Sequence, residues 1–342
     1  MAMNKFGPKV DGRLSPEIGQ YFYMVDSNYR TGDQGWSRPD GTGPLDLWNA
    51  RQPAGSNETR VFYTPEAGNQ STAYATQAAA AQAAIDVMID FRGDTLFWTP
   101  GNYNIATALA INVPDARWIG PTVSHPVCAR TILTAGVAAA FAPTGAADRM
   151  EIAYLQMVPL TAATMWDFAA VSGLHMHHNF YNADGITANV ATIFVGLATT
   201  SEFCQFTDSY VWVDGAQGPW ITSAGIIKGL TIHDFELYLE AGTWASAIDM
   251  LGVGASDCHI YNGFVTGGGT ALTALVTIAD KTKDTTHGMV HDIVCSTVGP
   301  AATALVATTG ADAELDHGNN WLVRADATAL AATTSAAIGY GG

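Results

Sequence analysis

Between residues 172 and 340 apolar side chains fall on alternate positions in short runs, and the runs themselves recur. The unit is a phrase Leu/Cys-x-Ile/Phe/Met/Val-x-Asn/Asp/His, seen in Leu174-His175-Met176-His177-His178, Cys204-Gln205-Phe206-Thr207-Asp208, Leu230-Thr231-Ile232-His233-Asp234 and Cys258-His259-Ile260-Tyr261-Asn262. A looser copy is Gly288-Met289-Val290-His291-Asp292, and a degenerate one runs from Leu315 to Asn319. The first five copies end at 178, 208, 234, 262 and 292, in steps of 30, 26, 28 and 30 residues. Alternation with a period of two predicts strands rather than helices. Behind each phrase comes an aromatic or β-branched run such as Tyr210-Val211-Trp212-Val213 or Phe235-Glu236-Leu237-Tyr238-Leu239. In most copies a Gly turn follows, then an Ala/Ile/Val run such as Ala191–Val195, Ala247–Leu251 or Ala274–Ile278. Three short strands in a period near thirty residues predict an all-β fold, a parallel β-solenoid whose coils stack one on the next. Leu174, Met176, Cys204, Phe206, Leu230, Ile232, Cys258, Ile260 and Val290 are the expected inward set.

Upstream the pattern changes twice. Residues 71–90 open with Ser71 and Thr72, are dominated by Ala, and place Ala81, Ile85, Met88 and Ile89 on one face, which predicts a helix. Residues 1–60 are rich in Gly, Pro, Asp, Asn and Ser and read as an extended arm. The expected organisation is an arm over 1–60, a linker and helix over 61–94, and a solenoid over 95–342. A solenoid grows along one axis, so 342 residues need no division into several cores.

Composition narrows the function classes. Charged residues make up only 13 % and hydrophobic ones 48 %, as suits buried strands and tight turns. The net charge is −16, and residues 1–60 balance seven basic against seven acidic side chains, so the excess negative charge lies in 61–342. That argues against a nucleic-acid partner, which needs clustered Lys or Arg. No apolar run is long enough for a membrane span and no secretory leader is evident, so a soluble protein is expected. Cys128, Cys204, Cys258 and Cys295 lack any paired spacing, and Cys204 and Cys258 take the place of Leu174 and Leu230, as small core residues do.

After the helix the chain reads Gly93-Asp94-Thr95-Leu96-Phe97-Trp98-Thr99-Pro100-Gly101-Asn102-Tyr103-Asn104-Ile105, then a short strand and Trp118-Ile119-Gly120. With the preceding helix, this resembles the N-terminal cap and first coil of pectate-lyase-like β-helices. The stretch from Tyr21 to Ser37, with Val25-Asp26-Ser27-Asn28 and Gly35-Trp36-Ser37, resembles the lead-in to such helices in bacteriophage structural proteins. The resemblance implies a single-stranded right-handed parallel β-helix with an N-terminal capping helix. It also implies a virion protein, capsid-decorating or head-fibre-like first and a tailspike-type receptor-binding protein or polysaccharide depolymerase second. Its partners would be other virion proteins, met through Tyr21, Tyr23, Tyr29, Trp36 and Trp48 of the arm, further copies of itself in a homotrimer, and host surface polysaccharide.

Activity has to be argued from residues, because this fold carries both enzymes and silent structural proteins. The Asn-Thr-Asp, Asp-Asp, Gly-His-Gly and Arg-Ile-Lys elements of polygalacturonase-type members are missing; Thr286-His287-Gly288 is a lone echo of one. A lyase needs a base to take the α-proton, yet 151–313 contains no Arg and only Lys228, Lys281 and Lys283. A glycosidase needs two carboxyl groups about 5–9.5 Å apart. Glu236, Asp234 and Asp249 are the residues to which that role would fall, with Glu240 and Asp208 as further acids. Against it, Asp208, Asp234, Asn262 and Asp292 recur at one corner of the repeat, where short polar side chains serve turns. His175 and His177 share an outward face, but no acidic or Cys third ligand lies nearby in the sequence, so no metal site and no cofactor are expected.

Overall fold

The computed structural model describes residues 61–63, 77–86, 88–137, 140–143, 147–159, 164–183, 194–197, 200–214, 218–241, 243–250, 254–267, 271–278, 288–298, 304–308, 315–318, 321–324 and 331–333. The arm, with Tyr21, Tyr23, Tyr29, Trp36 and Trp48, lies outside them.

Among the described residues every paired strand is parallel to its partner, and the strands form a 15-stranded, a nine-stranded and a four-stranded sheet. The chain is a parallel β-solenoid. In the large sheet one ladder runs in register through Phe62, Leu96, Trp118, Ile152, Met176, Phe206, Ile232, Ile260 and Val290. In the nine-stranded sheet the matching column is Leu109, Phe141, Trp166, Val195, Ile221, Ile248, Val276 and Val306. From Leu96 to Val290 and from Leu109 to Val276 the two columns are buried in one core. All nine residues predicted to point inward are buried, none more than 3 % exposed. The degenerate sixth phrase also pairs in register, Leu315 opposite Gly288.

Two features depart from the sequence reading. The first and second strands of the phrase are continuous in Gln205–Asp214, Thr231–Ala241, Cys258–Gly267 and Gly288–Val298. The chain turns between them through one residue in the left-handed region: Tyr154, His178, Asp208, Asp234, Asn262 and Asp292 have φ of 61°, 53°, 48°, 54°, 51° and 56°. Asn, Asp and His tolerate that region better than most side chains, which is why the phrase ends on them. A second left-handed column at the opposite end of the strand holds Asp115, Arg149, Gly173, Phe203, Gly229 and Asp257. The middle coils also carry a fourth strand, Val171–Ser172, Ser201–Glu202, Ile226–Lys228 and Gly254–Ser256. These are two or three residues long, too short for alternation to register.

Large aromatics fill the interior at the N-terminal end. The Phe141 and Trp166 rings stack at 4.0 Å, Trp118 lies 5.7 Å from Trp166, and Trp98 lies 5.6 Å from Trp118. Such pairs add about 0.5–1.5 kcal/mol each beyond the area they bury. Burial pushes the thiols of Cys204 and Cys258 up to about 12, as expected of core residues.

The helix, Gln77–Ile85, packs against Gly101–Ile105 and Leu109–Ile111, the latter being the end strand of the nine-stranded sheet. Gln82 Oε1 accepts from Ala110 N at 2.8 Å while its Nε2 donates to Ala110 O at 3.2 Å, the two bonds a further strand would make. Ala81, Ile85 and Met88 are buried. Ile89, expected on the same face, is 48 % exposed because the helix has already ended. Val61–Tyr63 pairs with Thr95–Phe97, so the large sheet reaches back before the helix. Asp94 is fully buried, paired with Arg92, and accepts from Ile89 N at 3.0 Å, which pins the start of the first full coil.

Gly120 marks one place where the coils approach closely: a Cβ there would sit 2.3 Å from the carbonyl oxygen of Tyr154. Gly120→Ala is expected to cost about 1–3 kcal/mol through overpacking against backbone that cannot yield. Ile232→Asp, which puts a carboxylate into the stacked apolar column, is expected to cost on the order of 4 kcal/mol. Urea unfolding followed by circular dichroism measures both. An Ile232→Asp midpoint equal to that of the parent would contradict the column.

Candidate functional site

Stacking converts each outward position of the phrase into a column of side chains on the outer side of the strands, with Ala153, Thr207 and Phe180 among them buried. Glu151, His175, Gln205, Thr231 and His259 form one; Ala153, His177, Thr207, His233, Tyr261 and His291 form the next. The left-handed corner residues follow, and beyond the corner lies the column Gln156, Phe180, Tyr210, Glu236, Phe264 and Val294. A strip of imidazoles therefore runs beside a strip of carboxylates, with rings and an acid on the far side of the bend.

The N-terminal part of the strip is a bonded network. His177 Nε2 lies 3.0 Å from Glu151 Oε1, and Arg117 Nε donates to Glu151 Oε2 at 2.5 Å. His177 Nδ1 lies 2.9 Å from His178 Nδ1. With Nε2–H of His177 donating to Glu151, its Nδ1 is free to accept from Nδ1–H of His178, an assignment that satisfies every contact. His178 Nδ1 also lies 3.8 Å from Asp208. His175 stacks beside His177 with ring centroids 4.4 Å apart; burial, then the neighbouring His177, push its pKa down. The hydrogen bond from His177 holds the Glu151 carboxyl down to about 2 against the opposing effect of burial, with Arg117 adding to it. The sequence reading found no acid for these histidines because Glu151 comes from the preceding coil. The signal was present in Met150-Glu151-Ile152-Ala153-Tyr154, an earlier copy of the same phrase.

Further along, His233 Nδ1 lies 2.6 Å from Asp234 and His291 Nδ1 lies 2.6 Å from Asp292. The Tyr261 ring is stacked between the two imidazoles, 4.9 Å from His233 and 5.2 Å from His291. Asn262 Nδ2 donates to Asp234 from the next coil.

The loop over residues 121–130 leaves the coil and folds back across the bend. It holds a 3-10 turn, Pro126–Cys128, whose start is closed by His125 Nδ1 accepting from Val127 N at 3.3 Å. The His125 ring then meets the edge of Tyr210 at 5.8 Å. Between loop and coils lies an open pocket of about 180 Å³, lined by Ser124, His125, Pro126, His178, Asp208, Ser209, Tyr210, Asp234 and Glu236. Burial, then the Glu236 carboxylate and Tyr238, push the Tyr210 phenol up, so it stays a neutral donor.

Of the acids named from the sequence, Asp208, Asp234 and Glu236 meet in this pocket. Asp249 does not join them: it sits on Thr243–Met250 of the nine-stranded sheet, opposite Thr222 and Thr277, with its Oδ1 buried and its pKa raised by burial. Glu240, two outward positions beyond Glu236, accepts from Trp212 Nε1 at 2.8 Å. His125 was missed altogether, since it lies in the loop outside the repeat. The one trace of that loop was the unusual length between Trp118 and the next copy of the phrase. Among the described residues no group of three or more His, Cys, Asp or Glu side chains is placed to hold a metal ion.

No protein-family model and no curated protein matches this chain. Among solved structures it is similar to an alginate lyase from Paenibacillus sp., with 12 % identity over 75 % of this chain and 97 % of that one at a TM-score of 0.38. A mannuronan C-5 epimerase AlgE6 A-module from Azotobacter vinelandii shares 9 % identity over 78 % and 95 %, at 0.28. Geobacillus virus E2 ORF18 shares 12 % over 78 % and 57 %, at 0.31. At these identities the likeness is one of fold alone.

The Glu151 contacts set a pH dependence. A carboxyl with a lowered folded pKa stabilises the fold above its unfolded value near 4.5 and loses that contribution as pH falls toward 2. Glu151→Gln is therefore expected to melt below the parent at pH 7, with the gap closing as pH drops from 4.5 toward 2. A gap constant across that range, measured by thermal melts, would show that the charge of Glu151 is not what matters.

Proposed function

We propose that this chain is a bacteriophage virion protein, a β-solenoid surface component that is carried on the particle by residues 1–60 and contacts host glycans at the corner under the 121–130 loop. The observation that carries the glycan contact is the pocket itself. It presents Asp208, Asp234 and Glu236 oxygens, the Tyr210 hydroxyl and two imidazoles on a surface that extends over several coils. Carboxylates accept strongly from paired hydroxyls, and a phenol ring offers a flat face to the C–H side of a sugar. Such a mixture of a few placed polar groups with aromatic surface is typical of small-molecule sites. For the virion, the support is the lead-in between Tyr21 and Ser37 and the charge-balanced, turn-rich arm attached to an acidic body. The body is taken to associate as a homotrimer through its outer faces, and the partners of the arm are other virion proteins.

A second reading, a depolymerase, draws on the same acids. Residues of adjoining coils lie about 5 Å apart, within the range of a glycosidase pair. Contact without cleavage is favoured because Asp234 is already engaged by His233 and Asn262.

Two outcomes are expected. Full-length protein incubated with polygalacturonate, alginate or host capsule should release no reducing ends; release that disappears in Glu236→Gln would establish the depolymerase instead. Removal of residues 1–60 should leave a folded, oligomeric body that no longer joins particles lacking the protein. Equal incorporation of the truncated and full-length chains would place attachment on the solenoid, and a monomeric body by light scattering would remove the trimer.

A further inference from the structure

Resting on the glycan-contact reading, we infer that the corner groove takes neutral glycans and excludes polyuronates. The pocket lining holds three carboxylates and neither Lys nor Arg. The same sign continues along the corner: Asp292 follows Asn262 in the left-handed column, and on the far side of the bend Glu240 lies two outward positions beyond Glu236 on the same strand. Arg130, at the end of the 121–130 loop, is exposed and stands outside the pocket lining, and three cations of nearby coils are tied to acids of their own. Arg117 pairs with Glu151 at 2.5 Å, Arg149 with Asp115 at 2.5 Å, and Lys228 with Glu202 at 3.3 Å.

A uronate chain carries one negative charge per sugar. Laid in this groove it would bring those charges against Asp208, Asp234 and Glu236 with no ammonium or guanidinium in the lining to meet them, and like charges at close range oppose binding. A neutral sugar meets the opposite situation. Its hydroxyls donate to the carboxylate oxygens, and Tyr210, flanked by His125, supplies the ring. The lining is drawn from three neighbouring coils, at His178, at Asp208–Tyr210 and at Asp234–Glu236, so a bound oligosaccharide spans the coils and runs along the solenoid axis.

The test measures binding of the full-length protein to labelled neutral hexasaccharides (cello-, xylo-, malto- and laminari-) and to alginate and polygalacturonate hexamers, each at low and high NaCl. At least one neutral oligomer is expected to bind with an affinity that salt barely changes, because no charge pairing drives it. Tyr210→Ala and Glu236→Ala should each weaken that binding on the order of tenfold, a loss of one contact in a small-ligand site. Both variants should keep the parental melting temperature, and the uronate oligomers should not bind. Uronate binding that is lost in Tyr210→Ala would keep the groove as a glycan site and overturn the charge selection. Binding of no oligomer, or neutral binding indifferent to both substitutions, would overturn the glycan-contact reading and this inference together.

Discussion

Everything in this molecule hangs on the in-register stacking of one coil on the next. Backbone groups of each coil bond to the coils before and after, so every residue position is copied along the axis at the spacing of paired strands, about 4.8 Å. The inward column from Leu96 to Val290 and the facing column from Leu109 to Val276 are consequences of that register. So are the left-handed corners, where one residue per coil gives up favourable backbone geometry so that the strand can bend without losing its place in the ladder. Gly120, squeezed against the Tyr154 carbonyl, shows how little slack the stacking leaves.

The same register writes the surface. A side chain that points outward has neighbours of its own kind of position above and below it, whatever their separation in sequence. Glu151 reaches His177 across 26 residues, Asn262 reaches Asp234 across 28, and Tyr261 lies between two imidazoles from other coils. Polar groups that would be scattered on a globular surface become stripes. The stripe along the corner gathers acids and rings, and the 121–130 loop roofs one stretch of it to make a pocket. Cations fall on other columns, where they bridge adjoining coils, and exposed pairs of that kind contribute little beyond local order.

Much of the fold was legible because the repeat states it directly. The phrase at Leu174, Cys204, Leu230 and Cys258 located the core, and the small thiols at two of those places read correctly as apolar. The recurrent Asp, Asn and His at its end read correctly as corner residues, and the left-handed φ supplies the reason. What stayed hidden depended on relations that alternation does not encode. The two- and three-residue strands of the four-stranded sheet are below its reach. Asp249 alternates as Glu236 does, yet it lies past the next turn and so on another face. Glu151 and His125 enter the site from coils that the sequence reading did not align with His177 and Tyr210, the first by stacking and the second by a loop that leaves the repeat. The residues assigned to attachment, Tyr21, Tyr23, Tyr29, Trp36 and Trp48, lie outside the described residues.

The central claim is that stacking register, by collecting carboxylates and rings at one corner, creates a surface that meets sugars. Hydrogen exchange of the intact protein, followed by mass spectrometry with and without a saturating neutral oligosaccharide, tests it most directly. The account predicts slower exchange in residues 121–130 and in Gln205–Asp214 and Thr231–Ala241, with Thr243–Met250 and Ala271–Ile278 of the nine-stranded sheet unchanged. Protection confined to the nine-stranded sheet, with the loop and the corner strands unaltered, would contradict it.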